Sequence, residues 1–192
     1  MSFDLKDAAP ESKQSQYQRP GIYDNIKVTE VTLGAASTGS KYIQFATIGA
    51  DGSVGKSPQM YLNGAGEPVN PEKPTAWSIT ARNLKTYLAS THNVTLEEAA
   101  GMISGVASAE QLQTKVSALL VGKPFRGKFS GVQTSKGAII AELSGSESMR
   151  VPSEETKLKY DAVRDTKAYK GTPQGGVEAV MQPTSGNDDL PF

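Results

Sequence analysis

The chain has 192 residues, no cysteine and one histidine, and its 20 basic and 20 acidic side chains leave no formal net charge. That composition excludes a disulfide framework, thiolate metal sites, a thiol nucleophile and a multi-histidine metal centre. The length gives one ordinary domain with appendages or two small ones. No apolar run approaches the roughly 18 residues of a membrane span.

Residues 1–20 are polar, interrupted by Pro10 and Pro20, and read as a flexible arm. They lack the basic-then-apolar layout of a signal peptide, so a reducing cytoplasm is the expected compartment. The 19 glycines and 11 prolines exceed the usual joint share of about 12% and predict turn-rich β structure. The first strand starts at Gly21. Ile22, Ile26 and Val28 share one parity and Val31 and Leu33 the other, a switch that predicts a β-bulge. A turn over 35–40 leads to a second strand, 41–49, in which Ile43 and Phe45 alternate with Tyr42 and Gln44. The third predicted strand is Gln59–Leu62, with the Gly-rich stretch 49–57 read as the hairpin between strands two and three.

The middle of the chain, 75–121, is a predicted helical insert. Thr75 caps a helix with Trp77, Ala81, Leu84 and Leu88 on one stripe. Thr95 with Glu98, and Ser108 with Gln111, have capping-box spacing. The last of these helices carries Leu112, Val116, Leu119 and Leu120 and stops at Gly122 before Pro124. Two strands follow, 124–133 and 138–145, joined by the hairpin signal Thr134-Ser135-Lys136-Gly137. Residues 153–170 read as a charged helix capped by Ser153, acidic early and basic late, and 171–192 as a disordered acidic tail. The globular domain therefore spans 21–152. Three strands, helix, two strands is the order of the OB-fold, a five-stranded Greek-key barrel. The expected class is α+β, mainly β, with helices between strands three and four and one after strand five.

Catalytic signatures are weak. Gly49 to Ser57 has one residue too many for a phosphate loop, and Pro58 follows where a helix would have to start. Gly64-Ala65-Gly66 lacks the third glycine of a dinucleotide site, and Ser53 to Lys56 has Ser-x-x-Lys spacing without its companion motifs. His92 reads as a solvated loop residue. Glu97-Glu98 and Glu154-Glu155 serve first helical turns, and Asp188-Asp189 lacks further ligands for a metal. No nucleophile, base and oxyanion hole assemble, so the expectation is a non-enzyme without metal or cofactor.

The segment 123–136 carries Lys123, Arg126, Lys128 and Lys136 and no acid. Alternation puts Phe125, Gly127 and Phe129 on one side, read as core, and Arg126 and Lys128 on the other. Such a face is either solvated or tracks a phosphate backbone. By the same parities Tyr23, Tyr42 and Tyr61 lie opposite the core, with Lys27, Lys41 and Lys56 beside them. They are ordinary amphipathic tyrosines or a stacking platform for bases.

The chain ends Asp188-Asp189-Leu190-Pro191-Phe192. This resembles the acidic tip of bacterial-type single-stranded DNA-binding proteins, with Asn187 at the third acidic position and leucine for the commoner isoleucine. The body resembles the divergent OB-fold single-stranded DNA-binding proteins of tailed bacteriophages. Pro20-Gly21-Ile22-Tyr23, the Asp51-Gly52 turn and Gly122-Lys123-Pro124-Phe125-Arg126-Gly127 carry that likeness. The insert is larger than the single helix of a minimal OB-fold. The resemblance implies sequence-non-specific binding and protection of single-stranded DNA, in a bacterial host's cytoplasm if phage-encoded. It also implies recruitment of replication, recombination and repair proteins through 188–192. There Phe192 would fill an apolar pocket, its carboxylate meeting a basic group, Pro191 limiting the ordering cost and the aspartates steering. The alternative is a structural or adaptor protein, such as a phage assembly component; a homo-oligomer is left open.

Divided along the chain, the zero balance is uneven. Residues 21–170 carry 17 basic and 14 acidic side chains, whereas 171–192 carry three acids and no base. A mildly basic body offset by an acidic tail is compatible with nucleic acid.

Overall fold

The structure, a computed structural model, describes residues 17–67, 70, 72–149 and 157–168. Strand β1 (Gly21–Ala35) slips register twice, between Tyr23 and Ile26 and between Val28 and Glu30. The second slip is the predicted bulge. At the first, Asn25 adopts a left-handed φ of 57°, a conformation that asparagine tolerates better than most residues. Each bulge bends the strand, so β1 can serve two neighbours. Its first half pairs antiparallel with β5 (Pro124–Gln133) and its second half with β2 (Lys41–Ile48).

β2 pairs antiparallel with β3 (Val54–Lys56), β3 parallel with β6 (Ile139–Glu147), and β6 antiparallel with β5. The ring β1-β2-β3-β6-β5 thereby closes on itself. Two short strands lie outside it: β4 (Met60–Tyr61) on β2, and β7 (Thr166–Lys167) parallel to β5. The described residues thus form a closed five-strand mixed barrel with extra strands and three helices, an α+β architecture.

The third strand of the ring is not the predicted Gln59–Leu62, of which only Met60–Tyr61 is strand, but Val54–Lys56 inside the Gly-rich stretch. Alternation cannot reveal a three-residue strand centred on glycine. Tertiary packing explains the glycine: a Cβ on Gly55 would lie 2.7 Å from the ring of Phe129. The predicted hairpin between strands two and three survives as the Gly49–Gly52 turn.

α1 (Ala76–His92), α2 (Leu96–Met102) and α3 (Ala109–Leu120) follow β4. Thr75 accepts from the Ser78 amide, and Thr95 and Glu98 form the full predicted capping box. Ser108 accepts from the Gln111 amide, but the Gln111 side chain accepts from Ala107 rather than closing the box. Leu84 and Leu88 of α1 and Leu112, Val116 and Leu120 of α3 are buried. Tyr87, also of α1, lies edge-on to Phe45 and Phe125 and donates to the Leu143 carbonyl at 3.1 Å. Phe125 and Phe129 are wholly buried in the barrel, as their parity predicts. His92 is not a loop residue: it ends α1, half-buried, because Asn93 caps the helix in the left-handed conformation.

Both flanks depart from expectation. The last residues of the supposed arm are built into the sheet, Tyr17 bridging Val54 and the amide of buried Gln18 donating to the Val54 carbonyl at 2.8 Å. Residues 1–16 lie outside the described set. Of the helix predicted over 153–170 and placed after strand five, residues 157–168 form a loop, a turn and β7. Asp161 accepts from the Val163 and Arg164 amides, an Asx turn that competes with helix. Asp165 bonds Lys128 of β5 at 2.7 Å, so charges that looked like helix ornament make tertiary contacts. Residues 150–156 and 169–192, the tail included, are outside the described residues.

Candidate nucleic-acid interface

Residues paired across antiparallel strands share a face of the sheet, so register defines the barrel's outer surface. Ile43, Phe45 and Thr47 of β2 are buried; Tyr42, Gln44, Ala46 and Ile48 therefore point outward. Their cross-strand partners make four outward rows: Gly34, Tyr42 and Tyr61; Thr32 and Gln44; Glu30, Ala46 and Lys56; and Lys27, Ile48 and Val54. From Tyr42 to Ile48 this face extends about 20 Å.

At one end the rings of Tyr42 and Tyr61 meet edge to face, centroids 5.8 Å apart and planes at 65°. Gly34 makes this possible. A Cβ there would lie 2.5 Å from Tyr42 Cζ, so the ring covers bare β1 backbone. The Tyr61 hydroxyl donates to Gln59 Oε1 at 2.8 Å.

At the other end the face leads into a groove of about 540 Å³. Tyr17, Arg19 and Pro20 form one wall, and Ile139 and Ile140 the other. Ile139, Ile140 and Val54 are 50%, 40% and 41% exposed, an unusual cluster of solvated aliphatics. Sequence reasoning passes over these residues. Two consecutive isoleucines in an alternating strand do carry a signal, since one of them must face outward.

The predicted site residues divide. Tyr42, Tyr61, Lys27 and Lys56 come together on this face, and Lys136 is exposed in the β5–β6 hairpin, outside these rows. Among the described residues Lys27, Lys56 and Lys136 make no ion pair, but Glu30 and Glu142 stand opposite in the row of Lys56. Charge on the face is therefore close to balanced.

The others are elsewhere. Tyr23 points inward, its ring 6.0 Å from that of buried Phe129, because the slip at Asn25 reverses the assumed parity. Lys41 turns toward α3 and binds Glu110 at 2.7 Å, which holds that carboxyl below its ordinary value. Lys123 sits against His92, Nζ 3.3 Å from Nε2, while that nitrogen donates to the Leu119 carbonyl at 3.0 Å. Arg126 faces Asp24 at 3.1 Å and Glu147 at 3.7 Å. Lys128 donates to Asp165 and to the Lys159 carbonyl. The basic strand face is thus largely occupied by the protein's own acids. The tip residues Asp188, Asp189, Leu190, Pro191 and Phe192 lie outside the described residues.

Among the described residues no three His, Asp or Glu side chains gather as a metal site requires, and no helix is long and apolar enough to cross a membrane. Compared with known proteins, the chain matches no family model and no curated protein.

Proposed function

We propose that this protein binds single-stranded DNA without sequence preference on the outer face of β2, β3 and β4. The observation that carries the reading is the tyrosine pair Tyr42–Tyr61, set over Gly34 on the outside of the closed barrel. A ring held against the sheet offers its free face to a base, and stacking is indifferent to base identity.

The connectivity supports this. With β6 and β5 as the fifth and fourth strands, the ring runs 1-2-3-5-4-1 with its parallel pair between the third and fifth. We read it as an OB-fold, whose second and third strands and flanking loops commonly bind oligonucleotides. Phosphates would meet Lys27, Lys56, Lys136 and Arg19, and the groove beyond Val54 would take the continuing strand. Recruitment of replication or recombination proteins through residues 188–192 belongs to the same proposal and rests on the sequence of the tip.

A gel-shift titration of the full chain against matched single-stranded and duplex DNA tests it. Clear preference for the single strand is expected. Equal affinity for both, or none for either, overturns the reading and favours an adaptor whose barrel binds protein.

A further inference from the structure

The groove at the far end of the face exists because β3 and β6 pair at one point only, Lys56 with Glu142. Upstream of it Val54 has Tyr17 as its neighbour in place of β6. The main chain at this contact is pinned. The Gln18 amide donates to the Val54 carbonyl at 2.8 Å, and buried Gln18 Oε1 accepts from Ser53 Oγ. A bridged pair shares a face of the sheet, so Tyr17 extends the outward row of Lys27, Ile48 and Val54, and it is 71% exposed. Ile140 is outward too, because it lies two residues before Glu142, which shares the face of Lys56. A tyrosine and an isoleucine thus flank the groove on the side of the sheet that carries Tyr42 and Tyr61.

Resting on the single-stranded DNA reading, we infer that this groove holds one nucleotide, its base stacked on Tyr17 against Ile140 and its phosphate met by Arg19 and Lys56. Continuity is the first argument. Val54 and Lys56 belong to the outward rows and also line the groove, so a strand crossing the face enters it without leaving that surface.

Charge is the second. The lining includes Arg19 and Lys56 and no acid, and neither cation makes an ion pair among the described residues. Cations beside aromatic and aliphatic walls suit a nucleotide, which is ionic at its phosphate and apolar on the faces of its base. The rows of Tyr42 and Tyr17 lie about 20 Å apart along β2, about six nucleotides of a strand stacked at roughly 3.4 Å per step. Only a strand of several nucleotides therefore engages both ends of the face.

The full-length protein is titrated with a fluorescently labelled oligonucleotide of about twelve deoxythymidines, within the range of site sizes for one such barrel. Anisotropy is followed for the wild type, Tyr17→Ala and Tyr17→Phe. A 5-iodouracil version is photocrosslinked and the attachment sites are mapped by mass spectrometry. Tyr17→Ala should lower affinity about tenfold at unchanged Tm. Tyr17→Phe, which keeps the ring, should bind as the wild type does, and a crosslink should form at Tyr17.

Unchanged affinity in Tyr17→Ala, with no crosslink at Tyr17, overturns the groove and leaves the binding face intact. Equal losses in Tyr17→Ala and Tyr17→Phe overturn stacking on the ring. No rise in anisotropy with the wild type overturns the single-stranded DNA reading itself, and the groove with it. A labelled peptide of residues 183–192 whose binding needs Tyr17, beside an oligonucleotide indifferent to it, overturns the nucleotide and assigns the groove to a peptide.

Discussion

Lys128 Nζ donates to Asp165 Oδ1 at 2.7 Å, with both side chains less than one-fifth exposed. The bond fastens the 157–167 segment over β5, and Leu158 lies against Gly145 of the neighbouring β6. It removes from solvent a cation that strand alternation assigns to a DNA-binding face.

The Lys128 bond, above all, holds the Asp165 carboxyl below its ordinary value. A depressed folded value means the contribution is complete above the unfolded carboxylate value of about 4, and is lost as pH falls through the folded value. Asp165→Asn should therefore lower amide protection factors at Thr166 and Lys167 at neutral pH. The wild type should show the same loosening only below about pH 4. Equal protection in the variant and the wild type at neutral pH would assign the docking of this segment to other contacts.

Arg126 and Glu147 stand opposite each other on β5 and β6, and Glu147 is 2% exposed. Removing the guanidinium strands a buried carboxylate. Because Arg126 is itself 43% exposed, the expected cost of Arg126→Ala is about 2–3 kcal/mol, below the figure for a fully buried pair. Adding Glu147→Gln should restore most of the lost Tm. Thermal melts of the single and double variants decide whether Arg126 is structural, as its partners indicate, or a DNA ligand.

Tyr42→Ala and Tyr61→Ala should each weaken single-strand affinity by about five- to 150-fold, the range for losing one stacked base. Tyr23→Ala should lower Tm through its lost packing on Phe129, with little effect on the affinity of the folded protein. Gly34→Ala makes a sharper test, since it displaces the Tyr42 ring without deleting it. Fluorescence anisotropy on the four variants compares these outcomes. Loss of affinity confined to Tyr23 would exclude the outer face.

The described cations near the face that make no ion pair are Lys27, Lys56, Lys136 and Arg19. Four phosphate contacts on a single strand give a slope of log affinity against log salt of about −3 at most. The sequence pattern alone, which adds Lys41, Lys123, Arg126 and Lys128 as candidates, predicts a steeper dependence. Affinities at several salt concentrations measure the slope directly: about −4 would mean that Arg126 and Lys128 abandon their acids on binding, and about −5 or beyond that Lys41 and Lys123 contribute as well.

Much of the fold is legible in the order of residues along the chain. Local rules act within a few residues, so the Thr75 cap, the Thr95–Glu98 box, the Gly122 stop, the Gly137 turn and the bulge after Val28 all follow from neighbouring side chains. Alternation also identifies Ile43, Phe45, Phe125 and Phe129 as core. It fails at Tyr23, since a bulge with no apolar marker reverses parity unseen. It fails at Val54–Lys56 as well, where three residues form a strand only because β2 and β6 present edges to them.

Local order in the chain carries the long strands, the alternating core and the caps of α1 and α2, because these depend on contacts between near neighbours. Which cations remain available was decided only by tertiary structure. An ion pair such as Lys128–Asp165 or Lys41–Glu110 joins residues far apart in the chain, and no local pattern records the distance between them. Docking of α3 and of the 157–167 segment on the barrel brought those partners together. It left outside a nearly neutral face whose distinguishing features are two tyrosines and a groove, in place of the basic strand that the composition suggested.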